Sequence, residues 1–249
     1  MATTANNTIL ITGGSSGLGL EMSKRFIEQG NTVIACSRSA VKLEEAQKQV
    51  PGLIAYPCDI TKPKDCERLA QWLNEKHPET NILVNNAAIV HKTGFITDDE
   101  IVEKAEHEVS TNLIAPIRLT KLLLPLLLVN NNTQIINITS GLVYVPRADY
   151  PLYNATKTAL HSFTQVLRHQ LKDVPIKITE VFFPAVDTPW HQGNPPKIAI
   201  SPEKAVAEMF IGLEKNKEEI RVGGVKLLYR LSRLAPKFAF KKLNTLAQK

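Results

Sequence analysis

Residues 8–19 read TILITGGSSGLG and decide the fold. A short β-rich apolar run, Thr8–Thr12, leads into glycines at positions 13, 17 and 19, and a helix-like segment follows from Leu20 to Gln29. Glycines let the backbone turn sharply and approach a ligand closely, while the start of a helix offers unpaired N–H groups to a phosphate. The order of strand, glycine-rich turn and helix therefore predicts a dinucleotide-binding site.

The rest of the chain repeats an alternation of apolar strands and helical segments. Such alternation predicts an α/β protein, a Rossmann-type doubly wound sandwich with a parallel sheet and right-handed crossovers. With 249 residues and 43% apolar content, the chain is predicted to form one domain spanning residues 1–249. Further strands are predicted at 32–36, 53–58, 82–84, 134–138 and 177–183.

The ends of the second and third strands carry charged side chains. Ser37-Arg38 stands where an NAD-binding chain usually has an acid for the ribose 2′-hydroxyl. Guanidinium pairs with phosphate, so Arg38 favours NADP(H), with NAD(H) and a merely solvated arginine as the alternatives. Asp59-Ile60 follows the third strand, and Asp59 is interpreted either as a cofactor contact or as a helix cap.

A tyrosine and a lysine lie four residues apart at Tyr153 and Lys157. On a helix this spacing places both on one face, where a neighbouring ammonium favours the phenolate and makes proton transfer feasible. An ordinary surface helix would show the same pair by chance. Ser140 ends a predicted strand thirteen positions earlier and supports the catalytic interpretation.

Taken together, these motifs resemble the short-chain dehydrogenase/reductase family. The resemblance rests on T-G-x-x-x-G-x-G at residues 12–19, on Asn85-Asn86-Ala87 and on Thr111-Asn112-Leu113, besides the serine, tyrosine and lysine. Residues 139–142 and 167–171 are similar to the bacterial DltE-like branch. The resemblance implies a seven-stranded parallel sheet of order 3-2-1-4-5-6-7, hydride transfer between nicotinamide and a carbonyl or secondary alcohol, and a homodimer or homotetramer.

The resemblance also implies roles for individual residues. Tyr153 would be the acid and base, Lys157 would lower its pKa, Ser140 would polarise the carbonyl, and Asn112 would lie in a distorted helix that holds a water. Where the family has P-G-x-x-x-T, this chain has Ala185 in place of the glycine. Thr188 stands one position closer to Pro184 than the family's threonine does. The predicted cofactor contacts are Gly13, Ser15, Ser16, Gly17, Leu18, Gly19, Ser37, Arg38, Asp59, Ile60, Asn86, Ala87, Tyr153, Lys157, Pro184, Val186 and Thr188.

Two later segments complete the sequence-based expectations. Residues 189–201 resemble the family's variable substrate loop, and Leu142, Tyr144, Tyr150 and Trp190 are expected to form an apolar or aromatic substrate wall. Residues 225–249 form a basic amphipathic tail, interrupted by Pro236, that is expected either to pack on the protein or to lie on an anionic membrane.

Charge, cysteine content and the first residues limit the remaining function classes. The net charge of +6 is concentrated near the C-terminus, with no basic stripe interleaved with aromatics, so no nucleic-acid partner is expected. Three scattered cysteines fit neither a disulfide framework nor a metal site. The polar start predicts a cytoplasmic protein, either free or peripheral to the inner face of the membrane. Two alternatives are a non-catalytic NADP(H)-binding sensor or scaffold and a peripheral membrane oxidoreductase that acts on a lipid-linked or cell-wall-related substrate.

Overall fold

A seven-stranded parallel sheet organises the protein. The computed structural model describes residues 5–191 and 193–245. The strands are β1 (Thr8–Thr12), β2 (Thr32–Ser37), β3 (Ile54–Pro57), β4 (Thr80–Asn85), β5 (Thr133–Ser140), β6 (Ile176–Phe183) and β7 (Glu219–Arg221). Their order is β3-β2-β1-β4-β5-β6-β7, and every neighbouring pair is parallel, so the predicted fold class and strand order are confirmed.

Helices connect the strands and cover both faces of the sheet. They are α1 (Gly17–Glu28), α2 (Ala40–Gln49), α3 (Pro63–Lys76), α4 (Ile101–Val109), α5 (Ala115–Leu128), α6 (Pro151–Gln170), α7 (Pro202–Glu214), α8 (Val225–Leu234) and α9 (Pro236–Thr245). A π-helical turn, Ser110–Ile114, joins α4 to α5, and short 3-10 turns occupy Gly141–Val143 and Pro189–His191.

The core has one layer on each side of the sheet because strand side chains alternate between its faces. In β1, Ile9 and Ile11 belong to the layer that contains Met22 of α1 and Phe210 of α7. Leu10 points to the opposite layer, which is built mainly from α3 and α5. Burial on both faces explains why the strands read as continuous apolar runs.

The residues after β3 test the interpretation of Asp59 as a helix cap. Lys62 occupies the N-cap position of α3, and the helix begins at Pro63. Asp59 instead folds back on the loop, where its Oδ1 accepts hydrogen bonds from the backbone N–H of Thr61 at 3.1 Å and from the Thr61 hydroxyl at 2.7 Å. The helix-cap interpretation of Asp59 is therefore wrong.

One helical segment of the described chain, residues 101–128, is long and apolar enough to cross a membrane on length and composition alone. Half of its most apolar window is buried, and it packs against α3 and α6. The segment is thus a core helix of this fold.

Residues 225–245 of the basic tail pack on the protein as two helices that are separated at Ala235, directly before Pro236, and the rest of the tail, 246–249, lies outside the described residues. Val225 and Ala239 are buried, and Val225 and Leu228 face Gly141 in the turn after β5. Four large apolar side chains of α8 and α9 nevertheless remain exposed: Leu227, Leu234, Phe238 and Phe240.

Candidate active site

A cavity of about 860 Å³ opens at the carboxyl ends of the central strands. Ligands of open α/β sheets bind at this edge, where the loops after neighbouring strands diverge. Among the predicted catalytic and cofactor-binding residues, Asn112 is the one that does not line the cavity, and it is fully buried. The predicted residues that line it are Gly13, Ser15, Ser16, Gly17, Leu18, Gly19, Ser37, Arg38, Asp59, Ile60, Asn86, Ala87, Ser140, Tyr153, Lys157, Pro184, Val186 and Thr188.

The glycine-rich turn has the geometry of a phosphate cradle. Gly17 has a φ of +51°, a conformation that side chains disfavour, and a Cβ on Gly19 would lie 2.1 Å from the carbonyl oxygen of Gly13. Ser16 occupies the N-cap of α1 but makes no side-chain capping bond, so it leaves the first N–H groups of that helix to a ligand. Those N–H groups and the helix dipole fit a pyrophosphate.

The loop after β4 is tied to the glycine-rich turn through Thr12. Its hydroxyl accepts hydrogen bonds from the backbone N–H groups of Asn86 and Ala87, both at 3.0 Å. The Asn86 amide donates in turn to the Thr12 carbonyl at 2.9 Å. These bonds fix the floor of the cavity between β1 and β4.

The rim beyond β2 is basic on the side where a ribose 2′-substituent would lie. Arg38 lines the cavity, and Lys42, from the first turn of α2, lines it as well. Burial acts to raise the pKa of Asp59, but the hydrogen bonds from Thr61 and the positive charge of Arg38 outweigh it and leave that pKa below its usual value. Sequence reasoning missed Lys42, although it stands four residues after Arg38.

Ser140, Tyr153 and Lys157 meet in the middle of the cavity. Ser140 ends β5 and hydrogen-bonds the Tyr153 phenol. Helix α6 carries both Tyr153 and Lys157, and the lysine ammonium lies 5.8 Å from the tyrosine ring centre. Lys157 is 2% exposed and donates to the carbonyl of Ile138 at 2.8 Å. The four-residue spacing thus places both groups on the cavity side of one helix.

The pKa values in this cluster follow from burial. Burial raises the pKa of Tyr153 to about 12, although the hydrogen bond with Ser140 acts in the opposite direction. Burial lowers the pKa of Lys157 to about 8. Lys157 is not among the groups that shift the pKa of Tyr153, so the lowering by lysine that the resemblance implied is not seen. A phenol with this pKa is neutral near neutral pH and is ready to donate its proton.

Two buried carboxylates surround Lys157 and were missed by sequence reasoning. Glu108 and Glu180 are both 0% exposed, and the negative charge of each raises the lysine pKa. Glu108 accepts from the backbone N–H of His91 at 2.8 Å, and Glu180 lies 2.9 Å from Nδ1 of His161. Such acids partly compensate a buried ammonium, which is otherwise expensive to desolvate.

Asn112 lies in the π-helical turn between α4 and α5, as the resemblance implied for a locally distorted helix. Its Oδ1 accepts from the backbone N–H of Ile89 at 2.9 Å, and its Nδ2 donates to the Ile89 carbonyl at 2.8 Å and to the Thr156 hydroxyl at 3.2 Å. The side chain therefore joins the loop after β4 to α6, one residue before Lys157. Single π-turns inside α-helices are frequent at functional sites.

The segment after β6 is extended under the cavity despite its altered motif. Ala185 accepts a backbone hydrogen bond from Ile200 at 3.1 Å, and Asp187 donates one to Ile200 at 2.9 Å. Thr188 lies beside the glycine-rich turn, and a Cβ on Gly17 would be 3.3 Å from the Thr188 side chain. The following residues, Pro189–His191, form a 3-10 turn.

The substrate end of the cavity is largely apolar. Leu142, Tyr150 and Trp190 line it as expected, and the indole of Trp190 packs edge-on against Tyr150. Tyr144 does not line it, because its ring packs against Phe182 and Tyr229 and its hydroxyl accepts from Arg221. Lining residues there that sequence reasoning did not single out include Arg147, His191, Leu228 and Leu243, and Ile198 comes from the predicted substrate loop.

Comparison with protein families identifies this arrangement. A family model described as short chain dehydrogenase matches residues 7–198, about three quarters of the chain. The chain belongs to the short-chain dehydrogenase family.

Relatives within the short-chain dehydrogenase family cover most of the chain. The uncharacterized oxidoreductase DltE of Bacillus subtilis is 40% identical over 96% of this chain and 97% of its own. A fatty acyl-CoA reductase of Acinetobacter baylyi is 30% identical over 85% of this chain and 74% of its own. The crystal structure of a short chain dehydrogenase from Burkholderia cenocepacia in complex with NADP is 22% identical and superposes with a TM-score of 0.85 over 97% of this chain and 98% of that one.

As a short-chain dehydrogenase, the protein is an oxidoreductase that carries out hydride transfer. Among residues 5–191 and 193–245, no group of three or more His, Cys, Asp or Glu side chains could hold a metal ion. Cys36, Cys58 and Cys66 are all buried; the interaction with Cys36 and burial raise the pKa of Cys58, while the interaction with Cys66 acts in the opposite direction. These thiols belong to the core beneath β2 and β3.

Proposed function

We propose that the protein is an NADP(H)-dependent oxidoreductase that transfers hydride between nicotinamide and a carbonyl or secondary alcohol, with Tyr153 as acid and base. The observation that carries this proposal is the meeting of Ser140, Tyr153 and Lys157 in one cavity that also contains a phosphate cradle. A protein that only senses NADP(H) has no physical need for such a cluster, so the enzyme is favoured over the sensor.

The chain's own residues would act on the substrate oxygen. When bound, NADPH supplies the hydride that the carbonyl carbon accepts. Ser140 and Tyr153 hydrogen-bond the carbonyl oxygen, and Tyr153 gives its proton to the alkoxide as negative charge develops there. Lys157 lies beside the phenol and stabilises the resulting tyrosinate, while Glu108 and Glu180 favour the charged form of the lysine. In the same proposal, Asn112 would hold a water that relays the proton.

The preference for NADPH is proposed from the basic rim after β2. Arg38 and Lys42 line the cavity there, and the end of β2 carries no acid that would accept a hydrogen bond from a 2′-hydroxyl. Asp59 lies within electrostatic reach of Arg38 on the next loop and limits the net positive charge. Two cations against one carboxylate still favour a 2′-phosphate, and the related structure from Burkholderia cenocepacia was solved with NADP.

The first experiment is a titration of the purified protein with NADPH and with NADH, followed through nicotinamide fluorescence, and then a screen of aldehydes and ketones for cofactor oxidation. We expect tighter NADPH binding and turnover of apolar carbonyl compounds. Tyr153→Phe should abolish turnover while it retains cofactor binding, and Tyr56→Phe, on β3 and outside the cavity lining, is the matched control. If Tyr153→Phe kept most of the turnover, or if neither cofactor bound, the proposal would be wrong.

The exposed apolar residues of α8 and α9 favour a second candidate, an oxidoreductase that works at an anionic membrane surface. Leu227, Leu234, Phe238 and Phe240 are exposed among basic side chains, as in helices that lie in the membrane interface. Flotation with phosphatidylglycerol vesicles should fall after Leu227→Ser and Phe238→Ser, compared with Val166→Ser, an exposed apolar residue on α6. Equal flotation of all variants would exclude this surface. A homodimer or homotetramer remains our expectation.

A further inference from the structure

Arg147 places a guanidinium in the wall of the cavity. It lies in the loop between β5 and α6, its side chain is 18% exposed, and it lines the substrate end. Its Nη2 donates to Asp149 at 3.1 Å, whereas its Nε is buried and has no hydrogen-bond partner. A buried N–H of a charged group costs free energy unless something accepts from it. Because Nε is shielded from the cavity, a ligand there would meet the terminal N–H groups of the guanidinium instead.

Arg147 is held in position by contacts on both sides of its loop. The amide of Asn154, on α6, donates to the Arg147 carbonyl at 2.7 Å. From α9, Asn244 accepts from the backbone N–H of Ala148 at 2.6 Å and donates to the Pro146 carbonyl at 3.2 Å. A loop fixed in this way presents its side chain without a large entropy loss on binding.

The guanidinium itself is oriented by its neighbours. It lies 5.2 Å from the centre of the Tyr150 ring, and its Nη2 is bonded to Asp149. The same Asp149 carboxylate has Lys92 4.0 Å away, so two cations face one acid. A stacked guanidinium with one edge already bonded is preorganised to present its remaining N–H groups to an oxyanion.

The charge around Arg147 is positive on the cavity side. Among the described lining residues the one acid is Asp59, which lies with Arg38 at the cofactor end. His191 lines the substrate end, where burial lowers its pKa and the positive charge of Arg147 lowers it further. Asp187 faces His191 and acts in the opposite direction. His191 is therefore held toward its neutral form, and the positive charge that a negative ligand group would meet at this end is that of Arg147.

The rest of the substrate end is apolar. Leu142, Trp190 and Ile198 contribute to its wall, together with Leu228 of α8 and Leu243 of α9. Burial of apolar substrate surface against these side chains stabilises binding by about 25 cal/mol per Å². One polar anchor in a mainly apolar wall is the usual composition of a site that selects one orientation of its ligand.

We propose that Arg147 binds an anionic group of the substrate, so that this oxidoreductase acts on carbonyl compounds with an apolar body and a carboxylate or phosphate at a distance from the carbonyl. This inference rests on the proposed function and adds the substrate class. Arg147 would be a specificity-determining residue, since it contacts the substrate away from the reacting carbon.

The test compares matched probes and matched variants. Steady-state kcat/KM with NADPH is measured for a homologous series of ω-oxo carboxylates, for their methyl esters and for ω-oxoalkyl phosphates. The variants are Arg147→Met, which keeps the stacking volume on Tyr150, and Lys92→Met, which removes the other cation facing Asp149. Circular dichroism and NADPH titration show that each variant is folded and binds cofactor.

We expect the wild type to prefer the acids over their esters, and Arg147→Met to lower kcat/KM for the acids by about ten- to hundredfold, the loss of one charge-assisted hydrogen bond. Esters should change less than about threefold, and Lys92→Met should resemble the wild type. Preference for carboxylates over phosphates, or the reverse, identifies the anion. Equal use of acids and esters by the wild type would overturn the inference while leaving the oxidoreductase intact. If no probe were reduced, calorimetric binding of the same carboxylates to the NADPH complex would decide, and their failure to bind would overturn it.

Discussion

Lys157→Met is predicted to stabilise the cofactor-free protein while it removes the proposed catalytic lysine. Burial lowers the pKa of Lys157 from 10.5 to about 8, which corresponds to about 3 kcal/mol of free energy against the folded state near neutral pH. The methionine would leave the Ile138 carbonyl without its donor, at a cost of about 1–2 kcal/mol. The net gain is about 1–2 kcal/mol, or a rise in Tm of about 2–8 °C for a protein of this size.

The stability gain of Lys157→Met should decrease as the pH rises. Because the folded-state pKa of Lys157 is lowered, the unfolded chain holds this proton more tightly than the folded protein does. The wild type therefore carries the full penalty below about pH 8, and loses it as pH rises through about 10.5. The advantage of Lys157→Met should be largest near neutral pH and should turn into a disadvantage of about 1–2 kcal/mol near the upper end of this range, where only the lost hydrogen bond to Ile138 remains.

Urea unfolding of both proteins without cofactor, at about pH 7 and about pH 10.5, measures this effect. Lys121→Met, which replaces an exposed lysine on α5, is the control and should show no such pH-dependent difference. The reasoning is refuted if Lys157→Met is less stable than the wild type near pH 7, or if its advantage is the same at both pH values. A pH-independent gain would instead indicate simple hydrophobic burial.

Three further predictions concern the cofactor cradle and the buried acids. Arg38→Ala should weaken NADPH binding about tenfold or more and leave NADH within about threefold in fluorescence titrations; equal losses would exclude a phosphate contact. Gly19→Ala should cost roughly 1–3 kcal/mol in urea unfolding and weaken both cofactors, because its Cβ meets the Gly13 carbonyl, whereas Gly224→Ala points into open space and should not. Glu108→Gln should lower the pKa of Lys157 further and shift the alkaline limb of the pH profile of kcat/KM to lower pH; an unmoved limb would contradict the electrostatic role.

The sheet could be predicted because each central strand is buried on both faces and reads as an apolar, β-branched run. The predicted strands agree with β1 to β6 to within about two residues. β7, Glu219–Arg221, was missed, since three residues with charges at both ends carry no strand pattern. The glycine-rich turn could be predicted because its backbone needs glycine for local reasons. At Gly19, for example, a Cβ would collide with the Gly13 carbonyl oxygen.

The surroundings of the site could not be predicted because they depend on contacts between distant parts of the chain. Glu108 and Glu180 are ordinary acids in the sequence, and only folding brings both beside Lys157. The loop of Arg147 gains its setting from Asn244, which accepts a hydrogen bond from Ala148 across 96 positions of the chain. Neither Arg147 nor Asn244 lies in a sequence motif or a periodic pattern that would link the two residues.

One part of the chain carries the groups proposed for the chemistry, and another part, α8 and α9, contributes to the substrate wall. Hydrogen bonds between α9 and the loop after β5 hold the two parts together. The acid, the lysine and the phosphate cradle belong to residues 13–188, whereas Leu228 and Leu243 bring α8 and α9 into the substrate wall. Related proteins could therefore diverge in what they reduce by exchanging their last two helices, while the reacting atoms stay where they are. A chimera that carries a relative's counterpart of residues 225–245 would inherit part of that relative's selectivity, and a bulky fusion beside α9 would disturb the substrate before it disturbed the cofactor.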